Sequence, residues 1–232
     1  MLDFRRFEIL TFDCYGTLIN WEDGILRCLH SLIDAHGNSA DDAAILAMYG
    51  ELEAAAEQGE FRHYRQVLEV VVRQFGKEFG FTPTQEQASS LAESLQQWKP
   101  WPDTVEALSS LRKKFKLAII SNVDDDLFAA TRPQLKVDFS EVITAQQAQA
   151  YKPSLKIFEL AMRRINVPPE RILHVGQSIY HDVLPAKSLG IATVWVNRPS
   201  ARSGVGAVKS SAGQPDLQVY SLAELAALCN LG

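Results

Sequence analysis

Five short apolar runs, at 9–12, 117–120, 142–144, 172–175 and 193–196, are each followed by a segment of helical character. Strands that alternate with helices join through right-handed crossovers, so they are expected in one parallel sheet with helices on its faces. The runs also end alike. Asp13 follows the first, Ser121 and Asn122 the second, and Lys152 lies just past the third. Ser178 and Asp182 come just past the fourth. In a parallel sheet these ends share one edge, the edge at which open α/β sheets bind their ligands. Each signal alone has an ordinary alternative. Asp13 and Asp182 could open helices, Ser121-Asn122 could be a turn, and Lys152 could be a solvated lysine. Their recurrence at successive strand ends is the stronger signal of a site.

The alternation is broken once. Between the first and second runs, segments near 20–34, 41–57, 61–79 and 83–98 read as helices on periodicity and propensity, with no strand pattern among them. The prolines of Lys99-Pro100-Trp101-Pro102-Asp103 mark a boundary. The expected organisation is a Rossmann-like α/β core, residues 1–18 and 100–232, with an all-helical cap, 19–99, inserted over the strand tips. Beyond the boundary, Asp103 is expected to cap a helix over 103–115 and Ser154 the helix after Lys152. The Ser-, Gly-, Ala- and Pro-rich stretch 199–215 reads as a surface loop, and 221–228 as a closing helix.

At 232 residues with 47% apolar content the chain can build one domain plus such an insertion. A formal net charge of −5 without basic runs argues against nucleic acid as a partner, while leaving room for a small anionic substrate at a locally positive site. Cys14, Cys28 and Cys229 form neither a disulfide framework nor a metal motif, and free thiols suit a reducing cytoplasm. No signal peptide and no apolar run long enough to span a bilayer is visible. An exposed face of the helical insertion could support a homodimer.

Four motifs, in this order and spacing, carry a resemblance that spans essentially the whole chain: Asp13-Cys14-Tyr15-Gly16-Thr17-Leu18, Ile119-Ile120-Ser121-Asn122, Tyr151-Lys152-Pro153 and Gly176-Gln177-Ser178-Ile179-Tyr180-His181-Asp182. They are similar to the motifs of the haloacid dehalogenase superfamily. The resemblance implies that Asp13 is the nucleophile, with Thr17 and Ser121 holding the substrate anion and Lys152 orienting Asp13. It implies that Asp182 places the hydrolytic water or a metal, and that Tyr15, Asn122 and Ser178 contact the substrate. Phosphatases of the superfamily carry a second Asp where Tyr15 stands, to protonate an alkoxide, and often an Asp where Gln177 stands, to help hold Mg²⁺. Both departures point to the 2-haloacid dehalogenase branch, and thus to a small 2-halocarboxylic acid and no cofactor. A phosphatase reading would require Mg²⁺ at Asp13, Tyr15 and Asp182, and a non-catalytic binding protein is the third reading.

The branch pattern is itself incomplete. An arginine that grips substrate carboxylate and halide is expected near Met48-Tyr49-Gly50-Glu51 and is absent. Arg62, His63 or Arg65 could replace it, or could lie on a solvated helix face. Ile179 stands where the branch has Asn, and Phe158 where it has Tyr. Cys14 is expected as a packed thiol and His174 as a satisfied core histidine. His181 is a candidate for the pocket wall, Trp98 and Trp101 for the return hinge, and Trp195 for the core.

Overall fold

The computed structural model describes residues 2–198, 207 and 211–231. Strand β1, Ile9–Phe12, leads into four helices: α1, Trp21–Ala35; α2, Asp42–Ala56; α3, Tyr64–Glu78; and α4, Gln85–Ser94. Helix α5, Thr104–Leu111, then returns the chain to β2, Lys116–Ser121. Next come α6, Asp125–Thr131; β3, Glu141–Thr144; α7, Ala145–Ala148; and α8, Leu155–Ile165. After β4, Ile172–Gly176, follow α9, Leu184–Ser188; β5, Ala192–Val196; β6, Leu217–Val219; and α10, Leu222–Leu231. The strands form one sheet in the order β3-β2-β1-β4-β5-β6, every neighbouring pair parallel.

All four residues of β1 and all five of β4 are buried, which is why they read as unbroken apolar runs rather than as alternating ones. Register then places the chemistry. Phe12 pairs with Ile119 on one side and Val175 on the other, so the strands run out together at one edge. Chain order reverses between β1 and β4, and at such a switch point the connections diverge and leave a crevice.

The inserted helices start where their caps dictate. Asp41 accepts from the amide of Ala44 at 2.8 Å, and Thr84 and Gln87 form a reciprocal capping box. Val67, Leu68, Val71, Val72 and Phe75 give α3 a fully buried stripe. The two passages between insertion and sheet lie side by side: Asn20 donates to the Lys99 carbonyl at 2.8 Å and Trp101 to the Leu18 carbonyl at 3.0 Å. The Trp101 indole also donates to the Gly16 carbonyl, and Trp98 is buried with its indole on Ser94.

Several expectations need correction. Strand β6 was not foreseen, since three residues are too short for a period to show. Helix α7 was missed for the same reason, and α5 stops at Leu111, short of 115. Asp103 precedes α5 but makes no side-chain cap to it. Its carboxylate accepts from Arg198 at 2.8 Å and from the amides of Leu222 and Ala223, so it caps α10, more than a hundred residues away. A π-type turn, Ile179–Val183, stands at the start of what reads in sequence as a plain helix. The loop expected at 199–215 lies outside the described residues apart from Ala207 and 211–215.

Candidate active site

Asp13 takes its place because β1 ends at Phe12 and the next residue is still fixed by the sheet: its amide donates to the Val175 carbonyl at 3.0 Å. Gly16 follows at φ +95°, a conformation that favours glycine, and turns the chain back over the strand tip. The Asp13 carboxylate is held at both oxygens. Lys152 Nζ donates to Oδ1 at 2.8 Å, and Thr17 Oγ1 donates to Oδ2 at 2.6 Å.

Lys152 is 2% exposed, and its ammonium uses all three of its donors. Beyond Asp13 they reach Asp182 Oδ1 at 2.7 Å and the Ile120 carbonyl at 3.0 Å. Asp182 Oδ1 also lies 3.1 Å from His174 Nε2, and His174 Nδ1 lies 2.8 Å from Thr11 Oγ1. A polar file thus runs from inside the sheet to the strand tip: Thr11, His174, Asp182, Lys152, Asp13. Gly176 makes the close approach possible, because a Cβ there would fall 2.5 Å from the Asp182 carboxyl carbon. Burial works on each group and the partners decide the outcome. Despite its own burial, Asp182 is held well below the usual carboxylate range by Lys152 and His174. Lys152 is held well above the ordinary lysine range by the two carboxylates, against burial. Asp13 is raised, chiefly by burial and further by Asp182, against the pull of Lys152.

Asp13, Lys152 and Asp182 face a cavity also lined by Tyr15, Trp21, Glu53, Glu57, Tyr64, Ser121, Asn122, Gln177, Ser178 and His181. About 50 Å³ of it is open to the centre of a water molecule. At roughly 10–15 Å³ per water position, that is room for a few heavy atoms. Ser121 Oγ is fully buried on this wall and has no hydrogen-bond partner among the described residues. His181, an open question in sequence, lines the cavity, and its Nδ1 lies 3.3 Å from Ser178 Oγ.

The other expected residues have defined partners within the protein. Thr17, expected to hold the substrate anion, is fully buried, donating to Asp13 and accepting from the Gln177 amide at 2.9 Å. Asn122 was expected on the substrate. It lines the cavity, and its side-chain amide clamps the backbone of Lys152, accepting from the nitrogen at 2.7 Å and donating to the carbonyl at 3.2 Å. The Tyr15 hydroxyl is engaged with Thr131 at 2.9 Å. Ser178 spends its hydroxyl on capping the turn that carries Asp182. Trp195 is only half-buried, and its indole fixes the Gln177 carbonyl at 2.7 Å. Cys14 is a packed thiol, fully buried and raised well above the ordinary thiol range by that burial.

The side formed by α2 and α3 carries the largest surprise. Where an arginine was sought, the cavity is faced by two carboxylates one helical turn apart, Glu53 and Glu57. Glu53 Oε1 accepts from the hydroxyls of Tyr49, at 2.8 Å, and Tyr64. Burial raises Glu53 against those two hydrogen bonds. Burial and the neighbouring Glu53 push Glu57 well above the usual carboxylate range. The i, i+4 spacing was in the sequence, but nothing there showed which face of α2 turns inward. None of the three replacement cations lines the cavity. Arg62 and His63 are exposed, His63 lies 3.2 Å from Asp124, and Arg65 pairs with Asp126 at 2.8 Å.

The same donor set does not fit Mg²⁺, which asks for a near-octahedral shell of oxygens. Asp13 and Asp182 both turn an oxygen to Lys152 Nζ, Tyr15 is tied to Thr131, and Gln177 stands where a further carboxylate would. Among the described residues no group of three or more His, Cys, Asp and Glu side chains could hold a metal ion.

A parallel sheet whose switch point carries a buried Asp–Lys–Asp cluster beneath inserted helices defines a Rossmann-like α/β architecture with a carboxylate poised at the strand tip. Residues 7–190 match the family model of the haloacid dehalogenase-like hydrolases, and the chain belongs to that family. It is 26% identical over 204 residues to haloacetate dehalogenase H-2 of Moraxella sp. (strain B), covering 84% of this chain and 87% of that one. It is 25% identical over 227 residues to an (S)-2-haloacid dehalogenase of Pseudomonas putida, covering 95% and 96%. The fold matches that of L-2-haloacid dehalogenase from Xanthobacter autotrophicus with a TM-score of 0.81 at 20% identity, over 97% and 98% of the two chains.

Proposed function

We propose that this hydrolase cleaves the carbon–halogen bond of a small 2-halocarboxylic acid with Asp13 as nucleophile. Residues 1–18 and 100–232 would be the catalytic core and 19–99 a cap closing over it. The observation that carries the reading is the Asp13 carboxylate, aimed into a small cavity by Lys152 and Thr17. An ionised Asp13 oxygen attacks the halogen-bearing carbon, the C–O bond forms, and the halide leaves with the electron pair of the C–X bond. A halide is a stable anion and needs no proton, which suits a site with Tyr15 where an acid would stand. Water then attacks the ester carbonyl and the bond from that carbon to the substrate oxygen breaks, giving a 2-hydroxy acid and the Asp13 carboxylate, with one proton released to solvent. Lys152 keeps Asp13 in place through both steps, and Asp182 with His174 keeps Lys152 in place. Ser121 offers a free hydroxyl to the substrate carboxylate. The size of the cavity and the names of the curated relatives, a haloacetate and an (S)-2-haloacid dehalogenase, support a two- or three-carbon acid.

The test follows halide release from chloroacetate and 2-chloropropionate beside phosphate release from an aryl phosphate, each with Mg²⁺ and with chelator. Halide release that survives the chelator and disappears in Asp13→Asn is expected. Metal-dependent phosphate release without halide release would reject the reading.

A further inference from the structure

A carboxylate substrate must be gripped by something, and the arginine expected for that role has been replaced by Glu53 and Glu57. The cavity does hold another donor aimed at nothing. The chain has four tryptophans. Three have their indole N–H engaged: Trp98 with Ser94 at 2.9 Å, Trp101 with the Gly16 carbonyl at 3.0 Å, and Trp195 with the Gln177 carbonyl at 2.7 Å. The fourth, Trp21, lines the catalytic cavity, is 8% exposed, and its Nε1 is fully buried without a partner among the described residues.

Leaving a buried N–H unmade costs on the order of 1–3 kcal/mol, so such groups in a folded protein ask for an explanation. Two further observations locate this one. A Cβ built on Gly16 would fall 3.1 Å from Trp21 Nε1, which places the indole nitrogen over the loop that follows Asp13. The ring is fixed there as the first residue of α1, edge-on to Tyr49 with centroids 6.0 Å apart. The second orphaned donor of the cavity, Ser121 Oγ, stands at the tip of the neighbouring strand.

We infer that the Trp21 indole N–H is an anion-binding donor of this site, acting with Ser121 to hold the substrate carboxylate or the departing halide by neutral hydrogen bonds where the expected arginine is absent. The inference rests on the reading of Asp13 as the nucleophile of a small anionic substrate. A neutral grip also suits the surroundings. A cation near Glu53 and Glu57 would be drawn into an ion pair with them, whereas an indole has no charge to lose and is donor only.

The test uses native protein labelled with ¹⁵N at tryptophan and titrated separately with propionate, which carries no leaving group, and with bromide. One indole N–H resonance of the four is expected to move saturably, and to be the one missing from Trp21→Phe. A response to propionate assigns the carboxylate to Trp21, and a response to bromide alone assigns the halide; either sustains the inference. If no indole resonance responds to either anion, or the one that does survives in Trp21→Phe, the inference is overturned. This readout needs no turnover, so it stands or falls apart from the dehalogenase assay. Where halide release is observed, Trp21→Phe should lower kcat/KM about tenfold or more, through KM if the carboxylate is held and through kcat if the departing halide is, as expected for loss of a hydrogen bond to a charged group. An unchanged kcat/KM would overturn the inference independently.

Discussion

Lys152 Nζ lies 2.8 Å from Asp13 Oδ1 and 2.7 Å from Asp182 Oδ1, so one buried ammonium serves two buried carboxylates. Three charged groups in contact with little solvent are stable only as a set, because removal of one leaves the others uncompensated. Lys152→Met should therefore destabilise the fold by about 3–5 kcal/mol, offset in part by protonation of Asp13. Urea denaturation at neutral pH measures it. A loss under about 1 kcal/mol would mean that the cluster is solvated in solution.

The same contact sets the acid limit of activity. As the proposed nucleophile Asp13 must be ionised to attack, and burial, with Asp182 beyond Lys152, raises it. A raised carboxylate is protonated over a wider acid range, so kcat should climb with pH through a midpoint above the ordinary Asp value of 3.8. A pH–rate profile under saturating substrate gives that midpoint. A midpoint below 3.8 would show that Lys152 outweighs burial.

Glu57 carries the opposite expectation for stability. Its carboxyl is raised well above 4.5, so the folded chain holds a proton there that the unfolded chain releases. The stability linked to that proton is complete below 4.5 and is lost as pH rises through the raised folded value. Glu57→Gln, which mimics the protonated form, should leave Tm nearly unchanged near pH 4 and raise it increasingly toward alkaline pH. Carboxylate substrates should also keep a low KM to higher pH in this variant, since no second anion forms in the cavity. Parallel Tm–pH curves for the two proteins would refute this.

Asp103→Ala tests the long-range cap. The substitution removes the ion pair to Arg198, whose guanidinium also donates to the Thr17 carbonyl at 2.9 Å, and the cap of α10. A cost of about 2–3 kcal/mol is expected from a lost cap and a charged hydrogen bond. Thermal unfolding measures it, with amide exchange in α10 reporting whether that helix frays first.

Much of this protein was legible in its sequence because the relevant signals are local. Apolar runs broken by turn residues fixed β1 to β5, and the helical periods fixed α1 to α4, since both patterns follow from a few adjacent residues. Parallel topology then required the strand ends to share an edge, which is how Asp13, Ser121, Lys152 and Asp182 were foreseen as neighbours. What remained hidden depended on which face turns where and on partners far along the chain. Glu53 and Glu57 read as polar residues of an Ala-rich helix until packing turned them onto the cavity. Trp21 gave no sign that its N–H alone among four indoles would be left unpaired. That the Asn122 amide clamps the Lys152 backbone and the Thr17 hydroxyl donates to Asp13 shows only in the distances. Asp103 looked like the cap of its own helix and serves another. Secondary structure is set by neighbours in sequence, so the sequence declares it. A polar group's partner is set by whichever donor or acceptor the folded chain brings within about 3 Å, and only the tertiary structure decides that.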